Sequence, residues 1–269
     1  MTEPCVSLDV VADGVTRITL DRPTTLNAMT VDLVVELHRA LDRVAADASC
    51  RVVILTGAGR GFCSGLDLNG FGVVPGTEQQ GAVPRSLAVQ QAIAELVPHL
   101  RRVPQPVIAA VNGPAAGGGF ALVLGSDIRL AARSATFSAA FIRIGVSACD
   151  IGTSWLLPRL IGAARAQELM LTGRLFEAEE AARIGLVTDV VDDDRLLDRA
   201  LAHAELLMAN APMAVRMTKR VMWSALEVPG QQAALDLENH TQVMLLATAD
   251  HHEAIRARQE RRAADYVDG

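Results

Sequence analysis

A run of three glycines, Gly117–Gly119, constrains the fold more than any other feature of this sequence. The preceding run Val107–Val111 is entirely apolar, which is typical of a strand buried on both faces, and the residues after the glycines predict a helix. A second strand pattern, Arg51–Thr56, leads into another glycine-rich turn, Gly57–Leu68 (GAGRGFCSGLDL). Glycine allows close approach to the backbone, and the first amides of a helix lack internal acceptors. The two turns therefore predict an α/β fold in which two backbone amides can hold one oxyanion.

Strand and helix patterns alternate through the first part of the chain. Further strands are predicted at Val15–Leu20, Ile128–Ala132 and Leu186–Val191. Beyond these strands only helix patterns follow. We therefore predict an α/β core over residues 1–195 and an α-helical C-terminal region over residues 196–269.

Helix signals begin directly after the first predicted strand and its loop. Thr30 is a candidate N-cap, and the apolar residues that follow it share one helical face, namely Leu33, Leu37, Leu41 and Val44. The stretch Gly70–Pro84 is rich in glycine and proline, which predicts a loop. The next helical pattern, Leu87–Leu100, is expected to break near Pro98.

Composition excludes several functional classes. The net charge of −6 argues against a general nucleic-acid-binding protein, which needs a basic face for phosphate. No apolar run reaches the length of a membrane span, and the N-terminal residues MTEPCVSLDV lack the pattern of a signal peptide. We therefore expect a cytoplasmic protein with no membrane partner. The four cysteines and six histidines lack metal-site spacing, so no metal is expected.

The turn Gly57–Gly61 has the glycine spacing that begins a dinucleotide-binding motif. Its sixth position is Phe62, where that motif needs a small residue, and no helix pattern begins there. No lysine follows that would complete a phosphate-binding loop of the nucleotide triphosphatase type. We therefore expect no tightly bound nucleotide cofactor.

The segments PVIAAVNGPAAGGGFAL and GAGRGFCSGLDL together resemble the enoyl-CoA hydratase/isomerase (crotonase) family. The resemblance covers nearly the whole chain, from VTRITLDRPTTLNAM to the charged C-terminus. It implies a crotonase-like spiral of ββα units, followed by a helical region that assembles a homotrimer or homohexamer. It also implies an acyl-CoA substrate, with coenzyme A as part of the thioester.

The resemblance assigns an oxyanion hole to the backbone amides of Ser64 and Gly118, which would hold the thioester oxygen as it becomes an enolate. Asp67 would support this loop, although a hydrogen bond to local backbone is an equally ordinary role. The basic run Arg258–Arg262 would supply a cation for the coenzyme phosphates, or else form a solvated helix face. The full set implied for coenzyme A is Arg22, Leu26, Ala28, Phe62, Ser64, Leu66, Asp67, Leu68 and Arg261.

Hydratases of the family carry two glutamates, and the matching positions here hold Ala121 and Phe141. We expect these two residues and Phe120 to line the acyl pocket instead. The closest local match around Asp150, within SACDIGTSW, is to dienoyl-CoA isomerases. Because one carboxylate can remove and return a proton, Asp150 is the candidate base for double-bond isomerisation. The alternative is that Asp150 caps the helix expected to begin near Gly152.

Three other functions remain open on the sequence alone. The protein could be an enoyl-CoA hydratase that uses non-standard acids. It could be a non-catalytic member that binds acyl-CoA, which would follow if the carboxylate of Asp150 pointed away from the thioester. It could also be a CoA-thioester decarboxylase or C–C lyase, in which the substrate carries its own leaving group and the oxyanion hole matters more than a base.

Overall fold

The computed structural model describes residues 4–268 of the chain. The strands it contains are β1 (Val6–Ala12), β2 (Val15–Leu20), β3 (Val52–Gly57), β4 (Val107–Val111), β5 (Ala115–Ala116), β6 (Ile128–Ala132), β7 (Thr136–Ser138), β8 (Phe176–Glu177) and β9 (Asp189–Val191). The helices are α1 (Val31–Ala46), α2 (Ala82–Ala94), α3 (Leu96–Arg102), α4 (Gly118–Gly125), α5 (Thr153–Ile161), α6 (Ala163–Thr172), α7 (Ala178–Arg183), α8 (Leu196–Met208), α9 (Pro212–Ala225), α10 (Gln231–Leu246) and α11 (Ala249–Glu260).

Six strands form the main sheet, in the order β1-β2-β3-β4-β6-β9. β1 and β2 are an antiparallel hairpin, and every later pair in this sheet is parallel. β5, β7 and β8 form a second, smaller sheet. Parallel neighbours need crossover connections, which is why helices alternate with strands along the chain. The predicted α/β class is confirmed.

The two faces of the main sheet are covered by different helices. On one face, residues such as Ile18, Val53 and Leu55 belong to the large core that α1, α3 and α4 complete. On the other face, Val52 and Ile54 pack in a separate cluster with apolar residues of α8, namely Leu196, Ala200 and Ala204. These three helix residues are spaced i, i+4 and i+8, so they lie on one stripe. The C-terminal region predicted from residue 196 therefore begins by sharing the core of the sheet.

Helix α1 follows the predicted pattern. The hydroxyl of Thr30 accepts a hydrogen bond from the amide of Leu33 at 3.4 Å, as expected of an N-cap. The apolar face predicted for this helix is buried along its whole length: Leu33, Leu37, Leu41 and Val44. This face holds α1 against the main core.

Several details differ from the sequence-based prediction. Helix α2 begins at Ala82, inside the stretch Gly70–Pro84 that was expected to be a loop, because Pro84 is tolerated in a first helical turn. The short strands β5, β7 and β8 were not expected, since two or three residues are too few to show a strand pattern.

The helical pattern breaks at Glu95, between α2 and α3, and not near Pro98. Pro98 lies in the first turn of α3, where its missing amide would have had no helical acceptor. The strand β1 was not predicted, because the alternation in VSLDVVA is interrupted by Val10 and Val11. The last strand, expected from Leu186, begins only at Asp189.

A buried ion pair fastens α9 to the sheet. The ammonium group of Lys219, whose side chain is 5% exposed, lies 2.8 Å from the carboxylate of Asp127. It also donates to the carbonyls of Leu100 and Gln105, and the indole of Trp223 donates to Asp127 at 2.7 Å. Burial lowers the pKa of Lys219, whereas Asp127 favours its charged form. Removing one partner would leave the other charge buried alone, so this pair is strongly structural.

Two features are absent from residues 4–268. In that span no helix combines the length and apolar character needed to cross a bilayer. The same residues contain no cluster of three or more histidine, cysteine, aspartate or glutamate side chains arranged to hold a metal ion.

Candidate active site

The two glycine-rich turns meet side by side at the start of α4. Cys63 and Ala115 form a parallel bridge that joins them. A methyl group added to Gly65 would lie 2.9 Å from the carbonyl oxygen of Ala116 and 3.5 Å from the amide nitrogen of Gly118. Gly65 also has φ +93°, a conformation that favours glycine. The two turns can approach this closely only because position 65 carries no side chain. The glycine in the sequence is therefore required for their contact.

Two backbone amides at this meeting point are free to bind a ligand. Gly118 begins α4, where amides have no helical acceptor, and no other acceptor for it occurs among the described residues. The amide of Leu66 likewise has no acceptor there, because Met29 pairs with the carbonyl of Gly65 and the amide of Asp67 on either side of it. Unpaired amides of this kind are what an oxyanion hole requires, so Leu66 and Gly118 are its candidate donors.

Ser64 does not have the role that the sequence predicted for it. Its amide donates to the carbonyl of Leu26 at 2.9 Å, and its hydroxyl donates to the carbonyl of Thr25 at 3.2 Å. An amide already engaged in this way is not free to hold a thioester oxygen. The assignment of Ser64 as an oxyanion donor is therefore corrected, and Leu66 supplies the free amide on this turn.

An ion pair braces the first turn. The guanidinium of Arg22 donates to the carboxylate of Asp67 at 3.1 Å and to the carbonyl of Ala28. Asp67 also accepts from the amide of Asn69, while its own amide donates to the carbonyl of Met29 at 2.9 Å. The Asn69 amide, and next the Arg22 side chain, lower the pKa of Asp67. These contacts favour the charged form of Asp67 and tie its turn to Arg22 and Met29.

Asp150 lies in the turn that leads into α5. One oxygen of its carboxylate, Oδ1, accepts from the amide of Ile151 at 2.8 Å and from the side chain of Gln90 in α2. The amide of Thr153 is bound by the carbonyl of Asp150, and the N-cap Gly152 has no side-chain capping bond. The capping role considered for the Asp150 carboxylate is therefore not found.

The residue after Asp150 connects this turn to the free amides. Ile151 has φ +48°, which is rare and costly for a β-branched residue. Its Cδ1 would lie 3.4 Å from a methyl group added to Gly118. The strained turn thus places Ile151 directly against the start of α4 and keeps Asp150 next to this contact in the chain.

Comparison with known proteins agrees with this geometry. The family model described as enoyl-CoA hydratase/isomerase matches residues 11–269. The chain belongs to the enoyl-CoA hydratase/isomerase family. It is 46% identical to the probable enoyl-CoA hydratase EchA12 of Mycobacterium tuberculosis over 255 residues, which are 94% of this chain and 90% of the relative. It is 40% identical to the 1,2-epoxyphenylacetyl-CoA isomerase of Escherichia coli over 261 residues, 97% of each chain.

A solved structure shows the same architecture. The crystal structure of a probable enoyl-CoA hydratase/isomerase from Mycobacterium abscessus superposes with a TM-score of 0.93 at 37% identity, covering 98% of this chain and 99% of that one. The crotonase-like fold expected from the resemblance is therefore confirmed. The chain is an acyl-CoA enzyme of the enoyl-CoA hydratase/isomerase family, and members of this family carry out more than one reaction.

Asn27, for which the sequence indicates no role, holds the glycine-rich turn Gly57–Leu68 in place. Asn27 is fully buried, and its side-chain amide donates to the carbonyls of Ala58, Gly61 and Phe62. Its side-chain oxygen accepts from the amide of Arg22 at 2.8 Å. The role of Asn27 follows from its burial, which is a property of the fold. The sequence pattern alone does not indicate it.

The residues expected to contact coenzyme A differ in their availability. Leu68 is largely exposed and Leu66 is at the surface, whereas Phe62 is fully buried and can offer only its backbone. Arg22 is engaged with Asp67. Arg261 lies exposed at the end of α11, and no hydrogen bond or ion pair between the described residues links it to the turn around Arg22.

The three residues expected to line the acyl pocket differ in their positions relative to the glycine turn. The ring of Phe141 lies beside the glycine turn, with Cε1 3.6 Å from a methyl group added to Gly117. Phe120 is fully buried and packs with two other aromatic rings, Phe137 at 6.2 Å and Phe176 at 5.9 Å between centroids. Its assignment to the pocket is corrected, because this cluster occupies its ring. Ala121 is fully buried within α4 and brings no acid to the site.

Proposed function

We propose that this protein isomerises a carbon–carbon double bond in an acyl-CoA thioester, with Asp150 as the base. The observation that carries the proposal is the pair of free amides of Leu66 and Gly118 beside a site that has no acid at positions 121 and 141. Enolate stabilisation needs such amides, whereas water addition needs an acid as well as a base. Asp150 is the carboxylate whose turn contacts the start of α4.

The proposed reaction conserves all atoms. The Asp150 carboxylate removes a proton from the carbon next to the thioester of a 3-enoyl-CoA. The electron pair delocalises onto the thioester oxygen, which the amides of Leu66 and Gly118 hold. The same carboxylate then returns the proton to the fourth carbon, and the double bond becomes conjugated with the carbonyl. One such amide contributes on the order of 3 kcal/mol to a transition state of this kind.

The coenzyme is proposed to lie along the turns that flank the free amides. Leu26, Ala28, Leu66 and Leu68 would contact it, with the phosphates reaching Arg22 and Arg261. Since Arg22 is already paired with Asp67, its charge toward phosphate would be only partly available. The proposed assembly is a homotrimer or homohexamer.

Hydration is the second candidate function. It is supported by the mycobacterial relative, which is named a probable enoyl-CoA hydratase. The E. coli relative, named as an isomerase of a CoA thioester, supports rearrangement instead. Ala121 and Phe141 cannot position or activate water, so hydration would have to use Asp150 with a group that is not yet identified.

The test measures proton exchange at the carbon next to the thioester of a saturated acyl-CoA in D₂O. Wild type, Asp150→Asn and the matched neighbour Cys149→Ser are compared, with coenzyme binding measured by calorimetry. We expect Asp150→Asn to lower exchange by at least about a hundredfold while binding persists. Cys149→Ser, at an exposed position in the same turn, should retain wild-type exchange.

A parallel assay separates the two candidate reactions. Isomerisation of a 3-enoyl-CoA creates the conjugated thioester chromophore, whereas hydration of a 2-enoyl-CoA removes it. A wild type that binds acyl-CoA tightly without exchange would contradict the proposal and favour a binding protein or a substrate-driven lyase. Loss of the chromophore without any isomerisation would favour hydration.

A further inference from the structure

We propose that Gln90 of α2 is a positioning residue that orients the Asp150 carboxylate for proton transfer; this inference rests on the proposed function of Asp150. Gln90 lies sixty positions before Asp150 in sequence, and its side-chain amide donates to Asp150 Oδ1. It contacts neither free amide of the oxyanion hole. Its role would be exerted through the carboxylate alone.

The hydrogen bonds of Asp150 distinguish its two oxygens. Oδ1 accepts both from Gln90 and from the amide of Ile151 at 2.8 Å. Oδ2 has no hydrogen-bond partner among the described residues, and no cationic side chain in residues 4–268 forms an ion pair with this carboxylate. Two donors on one oxygen fix the plane of the carboxylate and leave the other oxygen for the substrate proton.

Gln90 is suited to hold this position because it lies near the anchored end of α2. Ile93 is the buried residue of this helix, and the carbonyl of Ala92 lies 3.0 Å from a ring nitrogen of His38 in α1. The opposite end of the helix is exposed, as at Val83 and Leu87. The C-terminal end of α2, which is anchored by Ile93 and Ala92, therefore positions the Gln90 side chain. The N-terminal end of the helix does not pack into the core.

The chemistry gives Gln90 a signature that a packing residue lacks. The bond from Gln90 restricts the orientation of the Asp150 carboxylate and contacts no part of the proposed coenzyme path. Without this donor the carboxylate would be less restricted, so proton transfer would slow. Coenzyme binding would remain unchanged, which separates the role from that of a packing residue.

The test compares Gln90→Met, which keeps the length of the side chain but removes the donor, with Gln91→Met as the matched control. Gln91 is the adjacent residue of the same type, it is exposed, and no hydrogen bond of its side chain is found in the described part of the chain. For Gln90→Met we expect kcat to fall by about tenfold and KM to change by less than about twofold. Gln91→Met should match wild type.

Gln90→Glu provides a second and stronger readout. A second carboxylate would repel the Asp150 carboxylate instead of donating to it, so kcat should fall further than in Gln90→Met while KM again changes little. Because Gln90 is exposed, all three variants should unfold at the wild-type urea concentration. A Gln90→Met enzyme with wild-type kcat, or with a change in KM alone, would overturn the inference.

These outcomes remain distinct from those of the proposed function. If Asp150→Asn retains full exchange, the proposed function fails and the role of Gln90 fails with it. If Asp150→Asn abolishes exchange while Gln90→Met and Gln90→Glu behave as wild type, only the positioning role is overturned.

Discussion

Neighbouring glycines in the Gly117–Gly119 turn are required for different physical reasons. A methyl group added to Gly119 would lie 2.0 Å from the backbone carbonyl oxygen of Cys63, which cannot move without breaking the bridge to Ala115. A methyl group added to Gly118 would lie 2.7 Å from the sulfur of Met29, the flexible part of a long side chain. Gly119 is therefore a requirement of the fold, and Gly118 chiefly a requirement of the site.

We predict that Gly119→Ala lowers the free energy of unfolding by about 3 kcal/mol or more, because overpacking against backbone cannot relax. Gly118→Ala should cost about 1 kcal/mol or less, since alanine also favours helix. It should nevertheless reduce exchange at the thioester α-carbon, because displacing Met29 disturbs the residue whose backbone pairs with Gly65 and Asp67 on either side of Leu66. Urea unfolding and the exchange assay measure the two effects. Equal loss of stability in both variants would contradict this division.

For the proposed oxyanion hole, the sequence indicates the unpaired amide of Gly118 but selects the paired amide of Ser64 on the other turn, for a definite reason. Gly118 begins a helix, and a free amide at that position follows from local structure. On the first turn, the amide of Ser64 pairs with the distant segment Leu26–Met29 and the amide of Leu66 does not. Which of the two is unpaired therefore depends on a non-local contact. The contact between Gln90 and Asp150 is likewise non-local, so no spacing in the sequence indicates it.

Prediction of elements succeeds where burial and local pattern agree. β4 begins and ends where its apolar run does, because a strand buried on both faces leaves an uninterrupted pattern. β6 also has its predicted bounds, although it contains Arg129. The strand β1 escapes prediction because it lies at the edge of the sheet with much of its surface exposed. Pro98 was expected to break a helix, but it lies in the first turn of α3, where proline is tolerated. The sequence does not show where that helix begins, so the two cases look alike.

Helix α8 carries a histidine at the margin of its buried stripe. His203 lies next to the buried Ala204, and its ring nitrogen Nε2 is buried without a hydrogen-bond partner. Burial, and next the charge of Arg199, lower the pKa of His203, while Asp189 opposes them. The folded state therefore resists a proton that the unfolded chain accepts near its ordinary pKa of about 6.5.

The sign of the pH dependence follows from this difference. As the pH falls below about 6.5, the unfolded state binds more protons than the folded state at this position, so stability decreases. We predict that His203→Leu reduces the loss of unfolding free energy between pH 8 and pH 5.5, measured by urea titration. His252→Leu, at an exposed position on α11, should leave that loss unchanged. A His203→Leu variant with the full wild-type pH dependence would contradict the assignment.

The C-terminal helices complete the chain in two different ways. α8 covers a face of the sheet, and α9 is fastened to it through Lys219 and Asp127. α10 is different, because within Gln231–Leu246 the buried residue is Thr241, while several apolar side chains are exposed: Leu235, Val243, Met244 and Leu246. An apolar helix with so little of its surface covered is typical of a contact between subunits.

We predict that wild type elutes as three or six copies in size-exclusion chromatography with light scattering, and that Val243→Glu shifts it to smaller species. Val243 is 69% exposed in the single chain, and an assembly that buries it would have to bury an unpaired carboxylate in the variant. Val10→Glu is the matched control, since Val10 is 76% exposed on the edge strand β1. A monomeric wild type would contradict the proposed assembly. If Val243→Glu and Val10→Glu shift the elution equally, the effect follows from the added charge. That result would contradict the assignment of α10 to the contact between subunits.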